Sequence, residues 1–137
     1  QEMTRYGMDI FSEKIYQIID NPVELRNQIK NLFLMHFQFS YTYRDLARII
    51  FGDHSVNSEM QRWIISLREE KISRLAAILI EGQRQGQIRQ VEPYLTAQIL
   101  VDLMGSLCYP IIFEDKKLDP EDLAEKAVNI VFNGIGG

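Results

Sequence analysis

His36, His54 and Cys108 are the side chains of this 137-residue chain best suited to acid–base, metal or nucleophilic chemistry. Each of those chemistries needs partners at set spacings. The sequence has no GxSxG, no phosphate-binding glycine loop, no HExxH and no cysteine pair at zinc spacing. Asp53 beside His54 could begin a metal or acid–base site, but within GDHSVNS it reads as ordinary polar loop chemistry. There is no acid cluster to hold a polyvalent cation. A small helical enzyme using His36, His54 or Cys108 would lack a nucleophile and base in a recognisable arrangement. No catalytic residue, metal ligand or cofactor is therefore expected.

Binding chemistry is better represented. His36 shares a helical face with Phe33 and Phe37 inside the apolar run LFLMHFQF. It reads either as a core histidine satisfied by one hydrogen bond or as the polar handle of a ligand cavity, since such cavities are mostly apolar and aromatic with a few placed polar groups. Phe39, Tyr41, Tyr43, Phe51 and Trp63 follow closely. Tyrosine and tryptophan join an apolar body to a hydrogen-bonding tip that needs a partner when buried. Pro110 should kink or end its helix, which makes the neighbouring Cys108 and Tyr109 candidates for a cavity wall. The expected pocket is thus Phe33, His36, Phe37, Tyr41, Phe51, Trp63, Met104, Cys108 and Tyr109. Its occupant would be a small hydrophobic or aromatic effector, met by His36 or a tyrosine hydroxyl. If the same aromatics form a solid core, the chain is instead a helical protein–protein interaction module with no small-molecule ligand.

Helices must position these residues, because the periodicity is helical nearly throughout and no stretch alternates as a strand would. Tyr6, Ile10, Phe11, Lys14, Ile15, Ile18 and Ile19 mark one face of a first helix over 2–19, stopped by Asp20 and Asn21. A second is expected over 22–39, opened by Pro22 and apolar nearly all round in its C-terminal half, which makes it central. A third runs over 42–51 and is closed by Gly52. Asn57 or Ser58 should cap a long fourth helix over 58–85, with Met60, Ile64, Leu67, Leu75, Ile78 and Leu79 inward. The charged LREEKISR in its middle reads as a solvated face. Gly86 ends that helix, Pro93 opens a fifth to about Phe113, and Asp119 with Pro120 opens the sixth.

With 46% apolar and 25% charged residues, residues 1–137 are expected to form one all-α domain with a real core. A single cysteine excludes an intrachain disulfide and fits a reducing compartment. With no run of eighteen apolar residues and no signal-peptide pattern, the expected setting is cytoplasmic, without a membrane partner. Nineteen acids against fifteen bases give a net charge of −4, the wrong sign for holding phosphates. The opening at Gln1, in helix-compatible sequence, reads as a fragment of something longer. Ala97, Val101 and Gly105, then Ala124, Ala127, Val128 and Val131, form two strips of small residues on the last two helices. Packed against a twofold mate, these helices would make a dimeric four-helix bundle.

The run Ile78 to Leu107, ILIEGQRQGQIRQVEPYLTAQILVDLMGSL, resembles the C-terminal half of the TetR family of transcriptional repressors. Glu81, Gly82, Gly86, Ile88, Arg89, Pro93, Ala97, Gln98 and Gly105 stand at the matching positions, and DPEDLAEKAVNIVFNGI resembles the family's last helix. The resemblance covers the chain in helix order. It implies a six-helix regulatory domain that pairs as a homodimer and senses a small molecule. It also implies contact with DNA only through an N-terminal helix-turn-helix domain, which has no counterpart here and to which helix 1–19 would be the link. An effector would shift the dimer between DNA-competent and DNA-released arrangements by binding one of them better. The family's pockets share no motif, so no ligand-binding residue is carried over.

Overall fold

The structure, a computed structural model, describes residues 2–21, 23–51, 58–114 and 116–136, with the side chains of 2–6 and 49–51 excepted. Among the described residues there are six helices and no strand. They are α1 (Glu2–Ile19), α2 (Leu25–Thr42), α3 (Arg44–Phe51), α4 (Ser58–Arg84), α5 (Pro93–Phe113) and α6 (Pro120–Asn133). The expected caps at Gly52 and Asn57, the Asp53-His54 pair and the helix-opening Pro22 lie outside the described residues.

Helix α2 is central and touches each of the other five. Its buried side includes Leu25, Ile29, Leu32, Phe33, His36 and Phe37, and all six helices contribute to one continuous apolar cluster. The helix begins at Leu25, three residues after the expected start, because its first turn is held from elsewhere in the chain. The Leu25 N–H donates to Gln87 Oε1 at 2.8 Å, and Glu24 at the cap position gives no side-chain bond. Gln28 in turn donates to the Ile18 and Ile19 carbonyls, which satisfies the C-terminal end of α1.

Two glycines explain part of the α4 to α5 motif. A Cβ on Gly82 would stand 2.6 Å from Leu25 Cδ2, so its absence lets α2 and α4 approach closely. Gly86 has φ 76°, a left-handed conformation that ends α4 at low cost only for glycine. Asp119 caps α6 by accepting from the Glu121 N–H at 3.0 Å.

Pro110 does not end α5, which continues to Phe113. The end of this helix is held by two arginines of α3. Arg44 donates to the Ile111 and Ile112 carbonyls, at 2.6 and 3.3 Å, and Arg48 donates to that of Ile112 at 3.2 Å. Cations suit a helix C-terminus because its last carbonyls lack partners and carry partial negative charge.

Helix α5 is also long and apolar enough, by length and composition alone, to cross a membrane. Its inner side is instead buried against α2 and α4, through Ala97, Leu100, Val101, Met104, Cys108, Ile111 and Ile112. Ala124, Ala127 and Val128 of α6 are buried likewise, where α6 lies on α2. Lys30 of α2 flanks that seam, with its Nζ 2.7 Å from Glu121 and 2.9 Å from Glu125.

Candidate functional site

A cleft of about 320 Å³ lies between α4 and α5 and reaches down to α1. Leu67 and Lys71 of α4, Val101 and Gly105 of α5, and Phe11 of α1 form its depth. Ile64, Asp102, Ser106 and Tyr109 lie toward the rim. Across the rim Arg68 grips Asp102 with two parallel bonds of 3.1 and 2.8 Å, joining α4 to α5 in a fork geometry.

The floor of the cleft carries a charge. Lys71 is 8% exposed, and its Nζ stands 5.4 Å from the centroid of the Phe11 ring. Burial lowers its pKa from 10.5 to about 8; the Arg68 charge adds to that effect, while Cys108 and Asp102 oppose it. The sequence reading placed this lysine on a solvated face, and the structure corrects it. Lys71 and Ile72 of LREEKISR turn inward. The signal was present in the spacing, since Leu67, Lys71 and Leu75 follow one another at four-residue steps on a single face.

The aromatic residues expected to line a pocket take several roles. Phe33, His36, Phe37, Met104 and Cys108 are all at most 1% exposed and do not border this cleft. Trp63 packs partly buried against the core, and the side chain of Phe51 lies outside the described residues. Tyr109 does border the cleft, at its exposed edge.

His36 takes the form of a core histidine. Its Nδ1–H donates to the Leu32 carbonyl at 2.6 Å, and its ring meets Phe11 edge-on at 5.5 Å. Burial, followed by the nearby Lys71 charge, pushes its pKa down to about 3, so the ring is neutral. Ser40 Oγ and Cys108 Sγ both point to the His36 carbonyl, at 2.8 and 3.6 Å. Burial raises the Cys108 thiol to about 11, which leaves it a poor nucleophile.

Tyr41 is redirected as well. Its hydroxyl donates toward the Lys116 and Leu118 carbonyls, at 3.1 and 2.7 Å, and accepts from the Leu118 N–H. It therefore fastens the α5–α6 connection to α2 instead of waiting for a ligand.

Of the small-residue strips, Ala97, Val101, Ala124, Ala127 and Val128 are buried within the single chain, while Gly105 and Val131 are half-buried. Val101 and Gly105 border the cleft. Exposed large apolar side chains include Leu95, Ile99, Tyr109 and Phe113 on one side of α5 and Ile130 on α6, and others lie elsewhere, at Val23, Ile65, Ile80, Tyr94 and Ile135.

Among the described residues no group of histidine, cysteine and acids could hold a metal ion. The family description "Tetracyclin repressor-like, C-terminal domain" matches residues 22–135, and the chain belongs to that family of transcriptional regulators.

Solved structures agree on the fold. The fatty acid degradation regulator FadR from Bacillus halodurans superposes with a TM-score of 0.80 at 19% identity, covering 98% of this chain and 74% of that one. The regulator FadR from Bacillus subtilis, in complex with stearoyl-CoA, gives 0.81 at 19% identity, with the same 98% and 74% coverage. AibR, in complex with isovaleryl coenzyme A and operator DNA, gives 0.73 at 18% identity, covering 96% and 71%. No curated protein matches the chain.

Proposed function

We propose that this chain is the effector-sensing and homodimerisation domain of a TetR-like transcriptional repressor acting in the cytoplasm, with the α1–α4–α5 cleft as its effector site. The observation that carries this reading is the cleft itself: apolar walls from three helices, one of which, α1, is the helix expected to lead toward a DNA-reading domain. A ligand there touches α1 through Phe11 and α4 and α5 through Leu67 and Val101. It would bias the arrangement of α1 by binding one arrangement better than the other. The relatives seen with stearoyl-CoA and isovaleryl coenzyme A support an effector that carries an acyl chain. That is narrower than the hydrophobic or aromatic compound expected from sequence.

The reading places the homodimer contact on the outward stripe of Leu95, Ile99 and Phe113 with Ile130, since the small-residue strips are occupied within the chain. Exposed apolar side chains on the last two helices suit a twofold, self-complementary interface. DNA would be contacted only by a separate N-terminal domain, in keeping with the net charge of −4.

Thermal melting against acyl-CoAs and free carboxylic acids of increasing chain length tests the effector claim. Selective binding to the folded state raises the melting temperature, and a chain-length optimum is expected. If no acyl compound shifts the melt, the reading gives way to a helical interaction module without a small-molecule ligand.

A further inference from the structure

Among the described residues, Lys71 is the one lysine or arginine that is buried. Buried cations are costly unless paired, and a lysine in the interior is nearly always matched by a carboxylate. Lys71 has no such match: among the described residues its Nζ makes no ion pair and no hydrogen bond, and its one close partner is the face of Phe11. The nearest acid on the cleft wall, Asp102, is held by both arms of Arg68. The groups that face Lys71 from the neighbouring helices are Phe11 of α1, the neutral His36 of α2, and Cys108 and Asp102 of α5, with Arg68 on its own helix. The charges of Arg68 and Asp102 offset each other, and the other neighbours of the ammonium are neutral or apolar.

We propose that Lys71 is the anion seat of the effector site, so that the effector is an acyl compound whose own negatively charged head is buried against Lys71 Nζ while its chain lies along Phe11, Leu67 and Val101. This deepens the effector reading given above and rests on it. A cation–π contact already uses the ammonium's preference for electron-rich neighbours, and an anion inside the same low-dielectric cleft would interact far more strongly. The volume of about 320 Å³ is near the lower end for ligand pockets and fits a chain of roughly ten carbons better than a complete coenzyme. Two sources of the anion are chemically equivalent at the ammonium: the carboxylate of a free acid, or a phosphate of an acyl-CoA folded back into the cleft. The free acid places its charge directly on the acyl chain, and the depth of Lys71 favours it.

The test uses isothermal titration of decanoate, 1-decanol and decanoyl-CoA into the wild-type chain, Lys71→Met and Lys71→Arg. Methionine keeps the apolar length of the side chain without the charge, and circular dichroism confirms that each variant is folded. Decanoate should bind the wild type at least tenfold more tightly than decanol. That preference should vanish in Lys71→Met, with decanol affinity kept, and survive in part in Lys71→Arg. If decanoyl-CoA shows the same dependence on Lys71 and decanoate does not bind, the anion is a phosphate and the seat still stands. Equal binding of decanoate and decanol, or binding of decanoate or decanoyl-CoA that is unchanged in Lys71→Met, overturns the anion seat while leaving the effector site intact. If none of the three binds, the effector reading fails and the anion seat fails with it.

Discussion

Lys71 Nζ stands 5.4 Å above the ring of Phe11, so a charge from α4 and an aromatic face from α1 meet on the floor of one cleft. The same Phe11 ring meets His36 edge-on, which links the cleft floor to the central helix. Only an occupant that reaches the floor of the cleft would approach α1, since Phe11 is itself fully buried. Under the proposed function, that contact would couple an effector in the cleft to α1.

The buried charge should be visible in stability against pH. Below about pH 8 the folded and unfolded chains both hold the Lys71 proton; above it the folded chain releases the proton while the unfolded chain keeps it to about 10.5. Raising pH from 8 to 9 should thus favour the folded state by about 1 kcal/mol. Above pH 9 Cys108 works the other way, since its thiol stays protonated to about 11 in the folded chain. Urea melts between pH 7.5 and 9 should show the rise in the wild type and none in Lys71→Met. A flat wild-type profile would place the ammonium in water.

Acid should act through His36. In the folded chain it stays neutral down to about pH 3, whereas the unfolded chain takes up a proton near 6.5. Stability from this group is complete above pH 6.5 and falls as pH drops toward 3. Between pH 6.5 and 5 the loss should be about 2 kcal/mol. His36→Leu should remove that slope in a melt series, and an unchanged slope would assign the acid sensitivity to other groups.

Tyr41 separates folding from binding. Tyr41→Phe removes the hydroxyl that fastens residues 116 and 118 to α2, and should cost about 0.5–1.5 kcal/mol in urea denaturation, since its partners are exposed or half-buried and can turn to water. Effector affinity measured by titration should stay within about twofold, since the ring keeps its packing and the hydroxyl is turned to the loop. A tenfold loss of affinity would return Tyr41 to the ligand site.

The dimer surface can be told from the core by two glutamates. Val128 is fully buried against α2, so Val128→Glu should unfold the chain by placing an unpaired carboxylate in the core. Ile99 is 57% exposed on the outward stripe of α5, and Ile99→Glu should give a folded monomer in sedimentation. A folded dimer of Ile99→Glu would move the interface off this stripe.

Most of the fold was legible because its signals are local. Asp119 capping α6, Pro93 opening α5 and Gly86 closing α4 each act within a turn of their own position. The start of α2 was not, since its first N–H is taken by Gln87, 62 residues further along. At the site, the aromatic run pointed to the core rather than to the cleft, because bulk alone does not tell packing from lining. Tyr109, expected in a pocket, and Val101 and Gly105, expected against a partner helix, all border the cleft. Lys71 was masked by its charged neighbours in LREEKISR, although its four-residue step from Leu67 and Leu75 placed it on the inner face.

The central claim is that an acyl effector occupies the α1–α4–α5 cleft, and Ser106→Trp tests it most directly. Ser106 is exposed at the rim, so an indole there can cover the cleft without disturbing the core. Titration of whichever acyl compound stabilises the wild type should show at least a tenfold loss of affinity in Ser106→Trp, with an unchanged circular dichroism spectrum. Undiminished binding to the folded variant would contradict the assignment and place the effector elsewhere in the domain.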